Sequence, residues 1–177
     1  MRVLITVLPN AGNEPEALRQ VLESFGCLVL TKYIGRPNDF ISVLGEADYF
    51  EPDVIVLSGH GKDGKIIMPV LDCSVYTIDE PRCDFSSAEI NEYLKLKDKT
   101  IISTCCTTGT TDLASAFSRE NTYIAPTDYI EGNAVLLFMV DLFYQILQRN
   151  MSVEDACNHA RSLDEETALF AYYKKSK

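Results

Sequence analysis

The chain contains two histidines and six cysteines, and one residue of each kind lies where a strand is predicted to end. His60 follows the apolar segment DVIVLSG, and Cys106 closes the segment KTIISTCC. A thiolate is the attacking form of cysteine, and a nearby imidazole can generate it. A helix predicted just after the cysteines would favour the thiolate further through the positive potential of its N-terminus. These residues predict a catalytic His60–Cys106 dyad if the fold brings them together.

The segment around His60 also matches two phosphate-binding patterns. The residues Gly59–Lys65 contain both G-x-G-x-x-G and G-x-x-x-x-G-K. Such loops lead into a helix whose amides face the phosphates, but here KIIMPVLD follows, and Ile66 stands where a magnesium-binding Ser or Thr is needed. We expect the glycines to form a sharp turn that lets a substrate approach His60. The alternatives are a surface turn without a function and a nucleotide- or phosphate-binding flavodoxin-like protein.

Apolar runs alternate with helical periods from one end of the chain to the other. The predicted strands are 2–9, 27–33, 53–58, 99–106 and 122–128. The predicted helices are 13–26, 39–50, 86–96, 111–120, 132–150 and 152–163. The segment 65–85 contains two prolines and reads as a hairpin or excursion, and 166–175 reads as a last strand or a helical tail.

This alternation predicts the fold class. Strands separated by helices give a three-layer αβα sandwich around a mostly parallel, doubly wound sheet, and 177 residues suit one domain, 1–177. Ligands bind such sheets beyond the carboxyl ends of the strands. In a flavodoxin-like strand order the third and fourth strands are neighbours, so His60 and Cys106 would meet at one edge.

The charge and composition of the chain argue against several classes of partner and cofactor. A net charge of −10 argues against nucleic acid and anionic membranes, because phosphates would be repelled. The longest apolar stretch, AVLLFMVDLFYQIL, carries Asp141 and falls short of the roughly 20 residues of a membrane span, so it predicts a core helix. The cysteines lack the spacing of a zinc site or a disulfide framework. We therefore expect a cytoplasmic protein with no metal and no cofactor.

Several segments in sequence resemble one protein family. VIVLSGHG, DFSSAEINEYLKLKDKTIISTCCTTG, LASAFSRENTYIAPTDY and LFMVDLFYQILQRNMSVEDACNHAR are similar, in order and spacing, to the CHAT group of caspase-like cysteine peptidases. That group has a hydrophobic strand ending in His-Gly and a later strand ending in Ser-Ala-Cys-x-Thr-Gly. The resemblance covers roughly residues 53–161 and implies a caspase-like fold and cysteine endopeptidase activity.

The resemblance also implies roles for individual residues. Cys106 would be the nucleophile, and Cys105 would replace the small residue before it and count among the substrate-binding positions. His60 would be the general base. The backbone amides of Gly61 and Cys106 would hold the oxyanion.

The loop after the fifth predicted strand, APTDYIEGN, departs from the family, which often has a Trp and acidic residues there. Asp128 and Glu131 are candidates for a specificity pocket that would favour Lys or Arg in a peptide or protein substrate, and a solvated turn is the equal alternative. This departure leaves open a catalytically inert caspase-like binding or signalling module. It also leaves open a member that depends on a regulatory protein partner.

Overall fold

A computed structural model describes residues 1–45 and 50–176 of the chain. Eight strands alternate with six helices and one 3-10 helix over these residues. The strands are β1 (Arg2–Val7), β2 (Leu28–Tyr33), β3 (Val54–Ser58), β4 (Gly61–Lys62), β5 (Lys65–Ile66), β6 (Thr100–Ser103), β7 (Thr122–Pro126) and β8 (Phe170–Tyr173). The helices are α1 (Glu14–Ser24), α2 (Pro37–Gly45), α3 (Ser87–Tyr93), α4 (Thr111–Ser118), α5 (Gly132–Arg149), α6 (Val153–Ala160) and the 3-10 helix Thr167–Leu169.

The main sheet has six strands in the order β2-β1-β3-β6-β7-β8. The first five are parallel, and β8 pairs antiparallel with β7. One apolar cluster lies between the sheet and helices α1, α5 and α6, and a second lies between the sheet and helices α2, α3 and α4. The predicted three-layer αβα sandwich with a mostly parallel, doubly wound sheet is confirmed, as is the flavodoxin-like order of its first five strands.

The strands that precede the two candidate residues lie side by side in the middle of the sheet. β3 pairs with β6 from Val54 opposite Thr100 to Leu57 opposite Ser103. All five residues of β3 are buried, which explains why its first four residues are an unbroken apolar run. Because the strands are parallel and in this register, the loops after both emerge at the same edge of the sheet.

The segment between β5 and α3 is an excursion without a regular helix or strand, as predicted. The buried carboxylate of Glu80 holds it against the start of α2. Arg36 Nε and the Asn38 amide donate to Glu80 Oε1, each at 3.0 Å, and the Thr77 amide donates to Oε2 at 3.0 Å. The hydrogen bond from Arg36 lowers the pKa of Glu80 to about 2.

Element boundaries differ from the sequence expectations in a few places. The capping box that begins α3 is present as predicted, with Ser86 and Glu89 bonded reciprocally. The predicted helix 39–50 begins earlier, at Pro37, and its residues 46–49 lie outside the described residues. The strand predicted to reach Cys106 ends at Ser103, because the chain turns there. The tail predicted as strand or helix contains both a 3-10 turn and β8.

Within the described residues no helix is both long and apolar enough to cross a membrane. The stretch that came nearest in sequence forms α5, whose inner face packs in the core through residues such as Phe138 and Leu142. The prediction of a core helix there is confirmed.

Candidate active-site cleft

A cleft of about 390 Å³ opens at the carboxyl edge of the sheet. Its walls come from the β1–α1 loop, the end of β3, the turn after β6 and the start of α5. The residues that carry its polar chemistry are Glu14, His60, Thr104 and Cys106. The structure therefore brings the two predicted catalytic residues, which lie 46 positions apart in sequence, to the same cleft.

His60 is held by a backbone carbonyl. Its Nε2 lies 2.9 Å from the carbonyl oxygen of Asn10 in the β1–α1 loop. Because a carbonyl only accepts, Nε2 carries the proton, and in the neutral ring Nδ1 is then an acceptor. Asn10 has a left-handed backbone, with φ of 60°, which sequence analysis did not anticipate. The arrangement leaves Nδ1 available to take a proton from another group.

Cys106 is half-buried, and its thiol donates to a backbone carbonyl. Its Sγ lies 3.8 Å from the oxygen of Ile130, in the loop that precedes α5. The helix predicted at 111–120 is present as α4 (Thr111–Ser118), but Cys106 does not lie at its N-terminus. Cys106 lies in a turn that continues to Gly109, and α4 begins only at Thr111, so the thiol gains no direct benefit from a helix N-terminus.

The residue after Cys106 ties this turn to two other loops. Thr107 has a left-handed backbone, with φ of 60°. Its amide donates to the Asp128 carbonyl at 3.1 Å, and its hydroxyl accepts from the Gly64 amide at 3.2 Å. The next residue, Thr108, is fully buried and donates its hydroxyl to the Cys105 carbonyl at 2.7 Å. These bonds fix the turn that presents the thiol, and sequence analysis singled out neither threonine.

Close packing between two loops explains why the residue after His60 is a glycine, Gly61. A Cβ added at Gly61 would lie 2.1 Å from the carbonyl oxygen of Cys106 and 3.2 Å from the Cβ of Cys105. Any side chain here would therefore collide with backbone. The loop that carries His60 and the turn that carries Cys106 pack directly on each other, and only glycine allows the approach.

Cys105 and Cys106 are adjacent in sequence but lie in different environments. Cys105 is fully buried, and its Sγ lies 3.8 Å from the carbonyl oxygen of Leu57. Burial raises the pKa of the Cys105 thiol to about 12. Cys105 is not among the residues that line the cleft, so its assignment to substrate binding is not supported. Its side chain packs in the apolar cluster beneath the site.

Glu14 is a cleft residue that sequence analysis missed. It begins α1, and its Oε1 accepts from Ser58 Oγ at 2.6 Å and from Thr104 Oγ1 at 2.7 Å. Burial raises the pKa of Glu14, while the hydroxyl hydrogen bonds and the charge of His60 oppose that rise. The available signal was an acidic residue just after the first strand, in one of the loops where ligands are expected to bind.

The predicted specificity residues Asp128 and Glu131 lie beside the cleft and do not line it. Both are exposed. Asp128 Oδ1 accepts from the Tyr129 amide at 2.7 Å, and the Glu131 amide donates to Glu166 Oε2 at 3.1 Å. The chain folds so that Ile130 and Gly132, which flank Glu131, form the wall instead. Their role in specificity stays a prediction.

The glycine-rich segment Gly59–Lys65 does not lead into a helix. It forms the antiparallel pair β4–β5, in which Gly61 lies opposite Ile66 and Lys62 lies opposite Lys65. Asp63 and Gly64 make the turn, with φ values of 51° and 71°. Over the described residues, no group of three or more His, Cys, Asp or Glu side chains could hold a metal ion.

Comparisons with known proteins add little. No protein-family model matches the chain, and no curated protein matches it. Among solved structures it is similar to a semialdehyde dehydrogenase NAD-binding protein from Cupriavidus necator in complex with calcium and NAD, with 14% sequence identity and a TM-score of 0.36. The match covers 76% of this chain and 47% of that one, so the chain spans about half the length of its neighbour. At that TM-score no property of the neighbour is transferred to this chain.

Proposed function

We propose that the protein is a caspase-like cysteine endopeptidase in which Cys106 is the nucleophile and His60 the base. The observation that carries the proposal is that an imidazole and a half-buried thiol, from the loops after two adjacent strands, line one cleft. A structural cysteine is more often sealed in the core, as Cys105 is. The resemblance of residues 53–161 to the CHAT group supports the same assignment.

The proposed reaction is an acyl transfer through a thioester on Cys106. Cys106 Sγ attacks the scissile carbonyl carbon while its proton passes to Nδ1 of His60, whose Nε2 stays bonded to the Asn10 carbonyl. His60 then gives that proton to the leaving amine as the C–N bond breaks, which leaves a thioester on Cys106. Water, deprotonated by His60, hydrolyses the thioester and restores the thiol. The Asn10 carbonyl keeps the ring in the tautomer that each proton transfer needs.

The oxyanion of the tetrahedral intermediate needs donors beside Cys106. Among the described residues, the Cys106 amide donates no hydrogen bond to another group, so it is available for this role. The second proposed donor is the Gly61 amide, and the close packing of Gly61 against the Cys106 carbonyl, where an added Cβ would lie 2.1 Å away, supports this proposal. One such donor is typically worth about 3 kcal/mol in the transition state.

Engagement of the dyad requires one movement. The thiol is bonded to the Ile130 carbonyl and the imidazole to the Asn10 carbonyl, so the two groups are not bonded to each other. Rotation of the Cys106 side chain would break a weak thiol hydrogen bond only. A peptide or protein substrate in the cleft, or a regulatory protein partner bound against the Ile130 loop, would supply that rotation. The free thiols fit the cytoplasm.

The test uses a peptide that carries an electrophilic ketone as warhead, with Cys73 and Cys83 replaced by serine because both are exposed. We expect labelling at Cys106, located by peptide mass spectrometry. His60→Ala should slow that labelling at least about 100-fold, and His159→Ala, the matched control, should not. Equal rates for His60→Ala and the parent would remove the histidine from the mechanism.

A catalytically inert binding or signalling module is the second candidate function. The observation that favours it is that the thiol and the imidazole each have a different partner in the structure. If Cys106 reacts no faster than a free cysteine with iodoacetamide, and no warhead labels it, the inert module is the better assignment.

A nucleotide-binding protein is the third candidate. The cleft lies between the ends of β1 and β3, where the strand order reverses, and sheets of this order bind nucleotides at that point. Against this, the lining that the described residues form contains the carboxylate of Glu14 and no Lys or Arg, so phosphate would be repelled. A rise in melting temperature with millimolar ATP or NAD would favour this candidate, and no rise would exclude it.

A further inference from the structure

The carboxylate of Glu14 is built into the cleft in an unusual way. Two hydroxyls, from Ser58 at the end of β3 and from Thr104 just after β6, both donate to its Oε1. No described residue donates to Oε2, and Oε2 is not among the buried side-chain atoms without a partner. It follows that one oxygen is fixed by the sheet and the other is open to the cleft.

His60 offsets the charge of Glu14 only in part, and no Lys or Arg among the described residues lines the cleft. Glu14 and His60 are the ionisable lining residues besides the Cys106 thiol, and the remaining walls are small, apolar or amide side chains such as Ala17, Asn133 and Leu136. The nearest basic residue on the same helix, Arg19, is bonded instead to Glu16 and Glu23 on the outer face. A half-buried carboxylate without a cationic partner is unfavourable unless a ligand supplies one.

We propose that Glu14 is the specificity-determining residue of this cleft and that it binds a cationic side chain, Lys or Arg, of the substrate. That the bound cation belongs to a substrate rests on the proposed function, but cation binding itself does not require catalysis. This role for Glu14 differs from the sequence prediction for Asp128 and Glu131, which are not among the residues that line the cleft. The cleft's volume of about 390 Å³ accommodates either side chain.

The geometry also limits the degree of selectivity. Only Oε2 is free, so a guanidinium cannot form the two parallel bonds that normally favour Arg over Lys. We therefore expect a strong preference for a positive charge and only a weak preference between the two basic residues. Deprotonation of Glu14 and binding of the cation favour each other, because ionisation supplies the charge that the ligand neutralises.

The first arm of the test measures selectivity through Cys106. Peptide ketone probes that differ only in the residue before the warhead would carry Arg, Lys, citrulline or norleucine, in the Cys73→Ser/Cys83→Ser background. Arg and Lys probes should label Cys106 about 10 to 100 times faster than citrulline, the neutral isostere of Arg, since a charge-assisted hydrogen bond is worth about 1.5–3 kcal/mol. Equal rates for Arg and citrulline in the parent protein would overturn the inference.

Variants then assign the preference to Glu14. Glu14→Gln should bring the Arg-to-citrulline ratio close to one, and because both rates are measured in the same variant, the ratio cancels any change in the reactivity of Cys106 itself. Glu16→Gln is the matched control, because Glu16 lies on the same helix and is exposed, and it should keep the parent ratio. A Glu14→Gln protein that still prefers Arg to citrulline would contradict the proposal, even if the cleft does select cations by other groups.

The second arm measures cation binding directly and does not depend on any reaction at Cys106. Benzamidine, a small amidinium, should raise the melting temperature of the parent and of Glu16→Gln but not of Glu14→Gln, and benzamide, its neutral counterpart, should raise none. Stabilisation by benzamidine without labelling by any probe would overturn the peptidase proposal and leave the cation site standing. Labelling of Cys106 without a charge preference, together with no stabilisation by benzamidine, would overturn the cation site and leave the peptidase proposal standing.

Discussion

Two regions of the molecule each carry a carboxylate, an imidazole and a thiol, and only one of them lies at a strand end. The first region is the cleft at the carboxyl edge of the sheet. The second is the surface formed by α5 and α6. The cleft group is Glu14, His60 and Cys106, and the α5–α6 group is Asp141, His159 and Cys157.

The α5–α6 group contains the same three residue types, but its thiol does not face the imidazole. His159 Nδ1 pairs with Asp141 Oδ2 at 2.8 Å on the surface, while Cys157 is fully buried two positions earlier on α6. Residues two apart on a helix do not face each other, and burial raises the pKa of the Cys157 thiol to about 11. Composition alone therefore does not make a site. What differs is that in the cleft each group comes from a different segment of the chain and all three line one opening.

The largest expected difference between the regions is in thiol reactivity. In the Cys73→Ser/Cys83→Ser background at pH 8, iodoacetamide should alkylate Cys106 at least about 100 times faster than Cys157, because Cys157 is sealed and held as the thiol. Quantitative peptide mapping over time measures both rates in one sample. Comparable rates would show that the α5–α6 region opens or that the cleft does not expose its thiol.

The second largest effect should follow from the contact between the two cleft loops. Gly61→Ala places a methyl group 2.1 Å from the Cys106 carbonyl, so we expect alkylation of Cys106 to change by about tenfold or more and the protein to melt several degrees lower, at about 2–4 °C per kcal/mol. The control is Gly35→Ala, whose Cβ would meet only Asp39 Oδ2, at 3.5 Å. A Gly61→Ala protein that matches the parent in both measurements would show that the loops are not packed as described.

A smaller effect should appear in the dependence of stability on pH. Burial raises the pKa of Glu14 in the folded protein, so its contribution to stability is present at low pH and is lost as pH rises through that pKa. Glu14→Gln cannot ionise and should melt above the parent at pH 8, with a difference that shrinks as pH falls to 4. Calorimetry at several pH values measures this, and a difference that grows toward low pH would contradict the direction given for Glu14.

The smallest effect should be that of the surface pair. Asp141→Asn weakens the contact between Asp141 and His159, whose side chains are 17% and 43% exposed, and partly exposed pairs of this kind are worth about 0.2–1 kcal/mol. We expect a shift in melting temperature of no more than about 4 °C and no change in Cys106 alkylation. A change in alkylation would link the α5–α6 surface to the cleft and weaken the contrast between them.

The elements of the fold were predictable because their signals are local. A strand buried on both faces is largely apolar, as β3 is from Val54 to Leu57, and the Ser86–Glu89 capping box satisfies amides at the start of α3 within four residues. The end of β6 was less predictable. Thr104 to Cys106 suit a strand by composition, and the chain turns there because Thr107 bonds to the Gly64 turn and Thr108 bonds back to the Cys105 carbonyl.

The candidate site was predictable only in part. His60 and Cys106 follow strands whose adjacency is a general property of this strand order, so their meeting in one cleft could be expected. Glu14 could not be selected in the same way, because an acidic residue at the start of a helix is common for local reasons. Its hydrogen bonds to Ser58 and Thr104 join residues 44 and 90 positions away, and no local pattern encodes them.

The sequence by itself determined the layers of this protein, since hydrophobic periodicity sets which segments become buried strands and which become helices that cover them. The tertiary structure alone decided which cysteine is open and which carboxylate faces the cleft. Cys105 and Cys106 are chemically identical neighbours, and only the direction of the chain at the end of β6 places one in the core and the other in the opening. Burial, and with it reactivity, depends on atoms brought together from distant positions, which is why the chain had to fold before the site could be assigned.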